Sequence, residues 1–257
     1  MTQVRKPLGR LVLVPNSLDL GCEAEVDLDQ VLPQAVLVQA AQIAHWVVED
    51  AKTARAFLKR VDRLVALAQP LQTLDIRELP RPRKGAGPGP APDLSPLLAA
   101  ALAGHDVGLL SEAGLPAVAD PGAALVQAAH GLGIEVMPMS GPSSLMLALA
   151  GSGLNGQSFA FVGYVVVDAS ARAARLKELE LISRRHQQTQ IAIETPYRNA
   201  ALFASLLEQL QPATRLCVAS GLTLPGGRCL TRTVADWRLR PLDIGSKVPT
   251  VFLWLAS

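Results

Sequence analysis

The sequence lacks the features that mark secreted, zinc-binding or membrane proteins. Its 257 residues include three cysteines, Cys22, Cys217 and Cys229, and no Cys-x-x-Cys pair. This number and spacing argue against a disulfide framework and the common zinc sites, and suit a reducing compartment. Residues 1–6 lead into Pro7 without the apolar core of a signal peptide. We therefore expect a cytoplasmic protein that holds no metal.

Long apolar runs are also missing. The longest uncharged stretch, residues 136–167, is interrupted by Gly141-Pro142 and by a glycine-rich segment at 151–156. Its solidly apolar block, residues 145–150, is far too short to span a bilayer. We expect no membrane partner, while a hydrophobic content of 49% is ample for a buried core.

The net charge is only +2, so the overall field gives no argument for nucleic acid. The cations are nevertheless clustered on two predicted helices. Solvated helix faces and an RNA-facing strip both remain open as explanations. The two clusters are Lys52, Arg55, Lys59, Arg60 and Arg63, and Arg172, Arg175, Lys177, Arg184 and Arg185.

One pattern of a short apolar strand, a loop rich in proline and glycine and a helix occurs twice in succession. The first copy has its strand at 107–110, its loop at 111–122 and a helix to about His130; the second has its strand at 134–137 and its helix at 145–150. Successive strand–loop–helix units favour a parallel sheet. Both loops then lie beyond the carboxyl ends of their strands, where open α/β sheets bind ligands.

The rest of the chain predicts two α/β domains, residues 1–154 and 155–257, with a parallel-rich first sheet, a mixed second sheet and a cleft between them. Residues 81–92 alternate proline with glycine and predict a surface loop. Further strands are predicted at 11–14, 34–40, 46–48, 159–167, 190–194 and 248–255, a hairpin at 216–224 and 228–234, and helices from Asp50 to about 68, near 96–103, from Ser170 to about 183 and at 199–210.

Common nucleotide and hydrolase motifs are absent or misplaced. Gly151-x-Gly153-x-x-Gly156 matches the dinucleotide fingerprint in letters, but a helix precedes it and a strand follows, which reverses the required order. A helix C-cap and a turn explain these glycines better. There is no Walker loop, no His-Glu-x-x-His and no Gly-x-Ser-x-Gly.

The first loop is longer than its connection requires. Asp120-Pro121-Gly122 can be read as a helix cap, but capping does not explain the preceding residues 111–119. Glu112 lies on this loop, and Glu194 ends a later predicted strand before Thr195-Pro196. Both carboxylates are candidates for a general base, with pairing to a nearby arginine or capping as the alternatives.

These residues resemble the tetrapyrrole-methylase-like family of S-adenosylmethionine-dependent methyltransferases, and within it the 16S ribosomal RNA ribose 2′-O-methyltransferases. The likeness runs from about residue 10 to 255. Its motifs stand here as Glu49-Asp50, Ser111-Glu112-Ala113-Gly114-Leu115-Pro116, Asp120-Pro121-Gly122, Gly141-Pro142-Ser143, Ser152-Gly153-Leu154, Gly163-Tyr164 and Glu194-Thr195-Pro196-Tyr197-Arg198.

The resemblance implies a homodimer whose methyl donor, S-adenosylmethionine, is held largely by backbone groups of these loops. It assigns the acceptor side to Glu112, Glu194 and Arg198. The cofactor contacts that it implies are Ser111, Glu112, Ala113, Pro116, Ser140, Gly141, Ser143, Tyr197, Leu222 and Thr223.

Two departures separate the chain from that pattern. Where the family has a glycine-rich opening turn, this chain has Pro15-Asn16-Ser17-Leu18-Asp19-Leu20. Where the ribosomal RNA branch has a charged segment late in the chain, residues 219–224 are uncharged here. The expected activity is methyl transfer to ribose of structured RNA. Methylation of a tetrapyrrole or another small metabolite, and cofactor binding without catalysis, remain as alternatives.

Overall fold

The computed structural model describes residues 7–19, 21–22, 24–80 and 92–257. The described residues up to 19 and those from 26 to 142 form one compact unit. Residues 143–257, with the described residues between 21 and 25, form the other. This division assigns residues 143–154 to the second unit, whereas the predicted boundary assigns them to the first. The predicted loop at 81–92 lies outside the described residues except for Pro92.

The first unit is built on a five-stranded, entirely parallel sheet in the order β3-β2-β4-β1-β5. Its strands are β1 (Leu11–Val14), β2 (His45–Val48), β3 (Asp75–Glu78), β4 (Val107–Leu110) and β5 (Val136–Pro138). Its helices are α1 (Leu28–Val31), α2 (Gln34–Gln42), α3 (Ala51–Asp62), α4 (Ala99–Leu102) and α5 (Ala123–Gly131), with 3-10 turns at Leu71–Thr73 and Ser95–Leu98.

Helices cover both faces of this sheet, because alternate residues of each strand enter different cores. Val12 and Val14 of β1 pack with residues of α2 and α3, while Leu11 packs with Leu98, Leu125 and other residues of the opposite face. Strands buried on both faces are typical of parallel sheets. The parallel pairing predicted from the repeated units is confirmed.

The strand predicted at 34–40 is wrong, because this segment is helix α2. Its buried residues are Val36, Leu37, Ala40 and Ala41, a spacing that follows the helical repeat. A short apolar run does not by itself distinguish a buried strand from a buried helix. Strand β3 was missing from the prediction, since its residues are only partly buried or exposed.

The second unit contains a mixed five-stranded sheet in the order β6-β7-β10-β8-β9. Strand β6 pairs in parallel with β7, and the other neighbours are antiparallel, including the predicted hairpin of β8 with β9. Its strands are β6 (Phe159–Tyr164), β7 (Thr189–Ile193), β8 (Arg215–Ser220), β9 (Arg228–Thr233) and β10 (Thr250–Leu255). Its helices are α6 (Ser144–Ser152), α7 (Ala169–His186), α8 (Asn199–Gln209) and α9 (Val234–Leu239), with a 3-10 turn at Pro196–Arg198.

Two helix ends in this unit test the predicted caps. Gly153 ends α6 in the left-handed conformation, with φ of 65°, so the C-cap interpretation is confirmed. The N-cap of α7 is Asp168 instead of Ser170: its carboxylate accepts a hydrogen bond from the backbone N–H of Ala171 at 2.9 Å. Asp and Ser are comparable caps, so sequence alone does not choose between two candidates two residues apart.

Within the described ranges, no helix has both the length and the apolar character needed to cross a membrane.

Gly108 permits the close packing of β4 against β2. A Cβ atom added at Gly108 would lie 2.6 Å from Cε3 of the buried Trp46 side chain. We expect Gly108→Ala to lower the free energy of unfolding by about 1–3 kcal/mol through overpacking. Denaturant titration measures this loss.

Gly131→Ala is the matched control, because no heavy atom lies within 4 Å of the Cβ position at the end of α5. There the change should be neutral or stabilising by about 0.5–1 kcal/mol. Equal losses for the two variants would contradict this account of the packing.

Candidate functional site

Three loops of the first unit meet beyond the carboxyl ends of β1, β4 and β5. The backbone N–H of Asn16 donates to the Gly114 carbonyl at 2.9 Å, and the N–H of Gly114 donates to the Asn16 carbonyl at 3.2 Å. The Asn16 side-chain amide also donates to the carbonyls of Ser111 and Glu112, at 3.3 and 3.1 Å. Asn16 therefore anchors the loop after β4 to the turn after β1.

The loop after β5 approaches the same place. A Cβ atom at Gly141 would lie 2.2 Å from Cβ of Pro15, and one at Gly114 would lie 3.4 Å from the Pro142 carbonyl. Only glycine allows the Gly141 backbone to lie this close to Pro15. The geometry thus brings together the predicted cofactor residues of the first unit, which are Ser111, Glu112, Ala113, Pro116, Ser140 and Gly141.

The loop after β4 holds an unfavourable backbone shape. Ala117 and Ala119 have positive φ angles of 65° and 63°, and Gly114 and Gly122 also lie at positive φ. A left-handed conformation costs an alanine about 1–2 kcal/mol. Strain of this kind persists where the surrounding structure imposes it, often at functional sites.

The capping interpretation of Asp120 is wrong. Helix α5 has Gly122 at its N-cap position and no side-chain capping hydrogen bond. Asp120 lies instead in the wall of a cavity that the first residues of α5 also line.

This cavity has a volume of about 820 Å³ and an acidic lining. Four carboxylates contribute to it, those of Glu49, Asp50, Glu112 and Asp120. Glu49 directly follows β2 and accepts a hydrogen bond on Oε2 from the Glu112 backbone N–H at 3.2 Å. Of the predicted catalytic residues, Glu112 is the one in this wall. The other lining residues are Leu79, Pro80, Pro92, Leu94, Pro121, Gly122, Ala123 and Ala124.

The Asp120 carboxyl group in the wall of this cavity has a strongly raised pKa. Burial, followed by repulsion from the Glu49 carboxylate, raises the pKa of Asp120 to about 7, with a smaller contribution from Glu112. A hydrogen bond from Ser111 opposes the rise in pKa without cancelling it. Sequence reasoning assigned Asp120 to capping, although its place in a long loop after a parallel strand was a usable signal.

The altered turn after β1 is held by a partly buried ion pair. Asp19 accepts hydrogen bonds from Arg60 of α3 at 2.8 Å and from the Val26 backbone N–H at 2.9 Å. Burial alone would raise the pKa of Asp19, but hydrogen bonds from Arg60, Ser17 and Val26 outweigh it and lower the pKa. Asn16 and Asp19 thus hold residues 15–19, which contain no glycine.

In the second unit, Glu194 organises the turn after β7. Its Oε1 accepts from the Thr195 backbone N–H at 2.7 Å and from Nε and Nη2 of Arg198 at 3.0 and 2.8 Å. The Arg198 guanidinium lies 5.4 Å from the centre of the Tyr197 ring, which is 71% exposed. Glu194 is buried, and its Oε1 atom accepts all of these hydrogen bonds, an arrangement that suits positioning of Arg198.

The turn after β8 contains an unsatisfied polar atom. Thr223 has a φ angle of 71°, and its Oγ1 is buried without a hydrogen-bond partner among the described residues. A β-branched residue at positive φ is a conformational outlier. A buried hydroxyl without a partner fits a site that a polar ligand completes. Leu222 precedes Thr223 in this turn, and Ser143 stands at the N-cap position of α6.

Among the described residues, no group of three or more histidine, cysteine, aspartate or glutamate side chains has an arrangement that could hold a metal ion.

Two α/β units, a parallel sheet with loops gathered at its strand ends, and an acidic cavity define a two-domain α/β protein of the ligand-binding class. The chain belongs to the family described as Tetrapyrrole (Corrin/Porphyrin) Methylases, whose model matches residues 36–237.

Curated relatives carry the name Ribosomal RNA small subunit methyltransferase I. The protein of Mesorhizobium japonicum is 36% identical over 142 residues, which cover 55% of this chain and 44% of the relative. That of Mycobacterium tuberculosis strain H37Rv is 30% identical over 220 residues, covering 84% of this chain and 67% of the relative. The chain thus matches less than half the length of the Mesorhizobium protein.

Solved structures share the fold. A conserved hypothetical protein from Aeropyrum pernix K1 matches with a TM-score of 0.60 at 15% identity, covering 97% of this chain and 85% of its own. The methyltransferase CobJ matches with a TM-score of 0.55 at 17% identity, covering 89% and 90%. The α/β fold class predicted from the sequence is confirmed.

The raised pKa of Asp120 predicts a stability that falls with pH. Between about pH 4 and 7 the native state binds more protons at this carboxyl than the unfolded chain does, so the free energy of unfolding decreases as pH rises. Asp120→Asn removes the loss of stability that comes from ionising this buried carboxyl. Relative to wild type, this variant should therefore be more stable at pH 8 than at pH 5. The difference in the free energy of unfolding should be of the order of 1–2 kcal/mol, and melting temperatures at the two pH values measure its direction.

Asp106→Asn is the opposing control. A hydrogen bond from Arg10 lowers the pKa of Asp106, so that its charged form stabilises the fold at pH 8. This variant should lose stability at pH 8. A gain for Asp106→Asn, or a pH-independent effect of Asp120→Asn, would contradict the assignment.

Proposed function

We propose that the protein is an S-adenosylmethionine-dependent methyltransferase that acts on a ribose 2′-hydroxyl of small-subunit ribosomal RNA. The observation that carries the proposal is the acidic cavity at the ends of β2 and β4, within a fold whose family is a methylase family. The substrate class follows the names of the curated relatives.

The residues present fit the cofactor in two ways. The Thr223 hydroxyl, which has no hydrogen-bond partner among the described residues, offers a buried polar contact. The carboxylates of Glu49, Asp50, Glu112 and Asp120 line one cavity, where they can interact with a positively charged ligand. When bound, S-adenosylmethionine supplies a methyl group already activated by a positively charged sulfur. The residues proposed to hold it are Ser111, Glu112, Ala113, Pro116, Ser140, Gly141, Ser143, Tyr197, Leu222 and Thr223.

The acceptor hydroxyl must lose a proton, and we propose two carboxylates of the cavity for this role. Asp120 has a pKa near the operating pH, about 7, which is the range in which a general base is most effective. Glu112 lies in the same wall and contributes to that raised pKa. We assign the proton transfer to Asp120 with Glu112 beside it.

Glu194 and Arg198 are proposed to organise the acceptor side. Glu194 fixes Arg198 through two hydrogen bonds, and Arg198 lies against the exposed ring of Tyr197. An exposed aromatic ring can stack on an unpaired base, while a guanidinium beside it can contact a phosphate. Glu194 thus acts through Arg198 as a positioning residue.

A small metabolite is the second candidate acceptor. The cavity volume of about 820 Å³ lies within the range of small-molecule sites. Radiolabel transfer to purified small-subunit RNA and to a small-molecule extract separates the two candidates. Cofactor binding without transfer to either fraction would favour a protein that has lost catalysis.

We further propose a cytoplasmic homodimer. Edge strand β6 and the residues after it expose a row of large apolar side chains, which is unusual for a monomer surface. These are Phe159, Phe161, Tyr164, Val166 and Val167. Light scattering of the purified protein gives its oligomeric state, and Phe161→Lys should shift a dimer towards monomer.

Calorimetry should detect S-adenosylmethionine binding to the wild-type protein, and labelled methyl groups should enter small-subunit ribosomal RNA. Asp120→Asn should retain cofactor binding and lower kcat by about 10²-fold or more, because general base catalysis contributes about 10²–10⁴-fold. The wild-type rate should rise with pH through about 7 as Asp120 loses its proton.

Glu208→Gln on the exposed face of α8 is the control, and it should leave kcat unchanged. Full activity of Asp120→Asn would remove Asp120 from the reaction. The absence of a calorimetric signal at millimolar cofactor would contradict the proposed function itself.

Thr223 offers a separate test of the cofactor contact. Thr223→Gly should relieve the positive φ and stabilise the ligand-free protein by about 1 kcal/mol, yet weaken cofactor binding because the hydroxyl is lost. Thr223→Ser keeps the hydroxyl and should bind nearly as the wild type does. If the serine and glycine variants bind the cofactor equally, the hydroxyl makes no contact with it.

A further inference from the structure

Helix α3 carries four exposed cations on one face. With about 100° of rotation per residue, Lys52, Arg55, Lys59 and Arg63 fall within an arc of about 80°. All four side chains are exposed, and none is in an ion pair within the described part of the chain. Arg60 of the same helix is excluded from this face by its ion pair with Asp19 at 2.8 Å. We call Lys52, Arg55, Lys59 and Arg63 the α3 stripe.

The cations of the α3 stripe lie close enough along the helix to repel one another, although Lys59 in the last turn is favourable for the helix dipole. Lys52 lies in the first turn, where a cation opposes the helix dipole. Lys52 and Arg55 are three residues apart, and Arg55 with Lys59 and Lys59 with Arg63 are four apart, spacings at which like charges repel. The acids at the two ends of the helix also accept backbone hydrogen bonds: Asp50 caps the helix, Glu78 accepts from the Ala51 N–H, and Asp62 accepts from the Leu67 N–H. A bound polyanion would remove this repulsion.

The position of the stripe connects it with the cavity. Helix α3 starts directly after Glu49 and Asp50, which line the cavity wall. From Lys52 to Arg63 the helix rises about 16 Å, enough to follow several phosphates of a nucleic-acid strand. A strand lying along the stripe would be led towards the cavity rim at the helix N-terminus.

The second cationic helix, α7, distributes its cations differently. The cations of α7 are spread over about 240° of its circumference. Arg175 is paired with Glu178 at 2.7 Å. Hydrogen bonds to backbone carbonyls do not distinguish the helices, since Arg172 donates to Val167 and Arg55 of the α3 stripe donates to Ala51. This arrangement is typical of a solvated helix face, so the two clusters that look equivalent in sequence are unlike in structure.

We propose that the α3 stripe is the surface that binds the phosphate backbone of the RNA substrate, and that α7 is not part of it. This inference rests on the proposed RNA methyltransferase function. Beyond that function, it specifies the face of the first unit that binds the RNA and the contacts, between cations and phosphates, that hold it.

Filter binding of transcribed small-subunit ribosomal RNA at several salt concentrations tests the proposal. The fourfold variant Lys52→Gln, Arg55→Gln, Lys59→Gln, Arg63→Gln should bind RNA at least about tenfold more weakly at 0.1 M salt, and the slope of log Kobs against log salt should fall by about 3. Lys59→Gln alone should reduce that slope by about 1. Cofactor affinity by calorimetry should stay unchanged in both.

The matched control removes the same charge from α7, as Arg175→Gln, Lys177→Gln, Arg184→Gln, Arg185→Gln. It should keep RNA affinity within about threefold of the wild type, as few phosphate contacts are lost. Equal losses of RNA affinity in both fourfold variants, or wild-type RNA affinity of the α3 variant, would show that the α3 stripe is not the RNA-binding surface. Either result would leave the proposed function intact. A wild-type protein that binds cofactor but not RNA, even at low salt, would instead overturn the RNA substrate on which the stripe depends.

Discussion

The parallel pairing of β1 with β4 on one side and β5 on the other is the constraint on which the first unit depends. It brings the ends of three strands to one edge of the sheet, so the loops that follow them must share the same space. Asn16 then joins the turn after β1 to the loop after β4 through backbone and side-chain hydrogen bonds. The strained shape of residues 111–122 is held by this pairing.

Charge is distributed unevenly in this unit, and its distribution follows the fold. Carboxylates gather in the cavity wall, where burial and mutual repulsion raise the pKa of Asp120. Exposed cations lie together on one face of α3, while Arg60 of the same helix forms an ion pair with Asp19. An acidic interior next to a basic exterior suits a substrate whose backbone is anionic and whose reacting group gives up a proton.

Much of the fold could be predicted from residue patterns. The apolar runs at β1, β2 and β4 and the glycine at the end of α6 indicated their structures correctly, because each signal is local. The segment 34–42 was misassigned, since its apolar residues suit both strand and helix until the neighbouring packing is known. Asp120 was assigned to a cap because Asp-Pro-Gly is a common helix start, and its direction depends on the left-handed residues before it.

The sequence by itself determined the two α/β units, the loops at the strand ends and the family resemblance, because these depend on periodicity, turn residues and motif order along the chain. Only the tertiary structure decided which carboxylates meet in one cavity, that Glu194 is engaged by Arg198, and which of two basic helices presents a continuous cationic face. Those properties depend on distances between residues far apart in the chain and on which partners neutralise each charge.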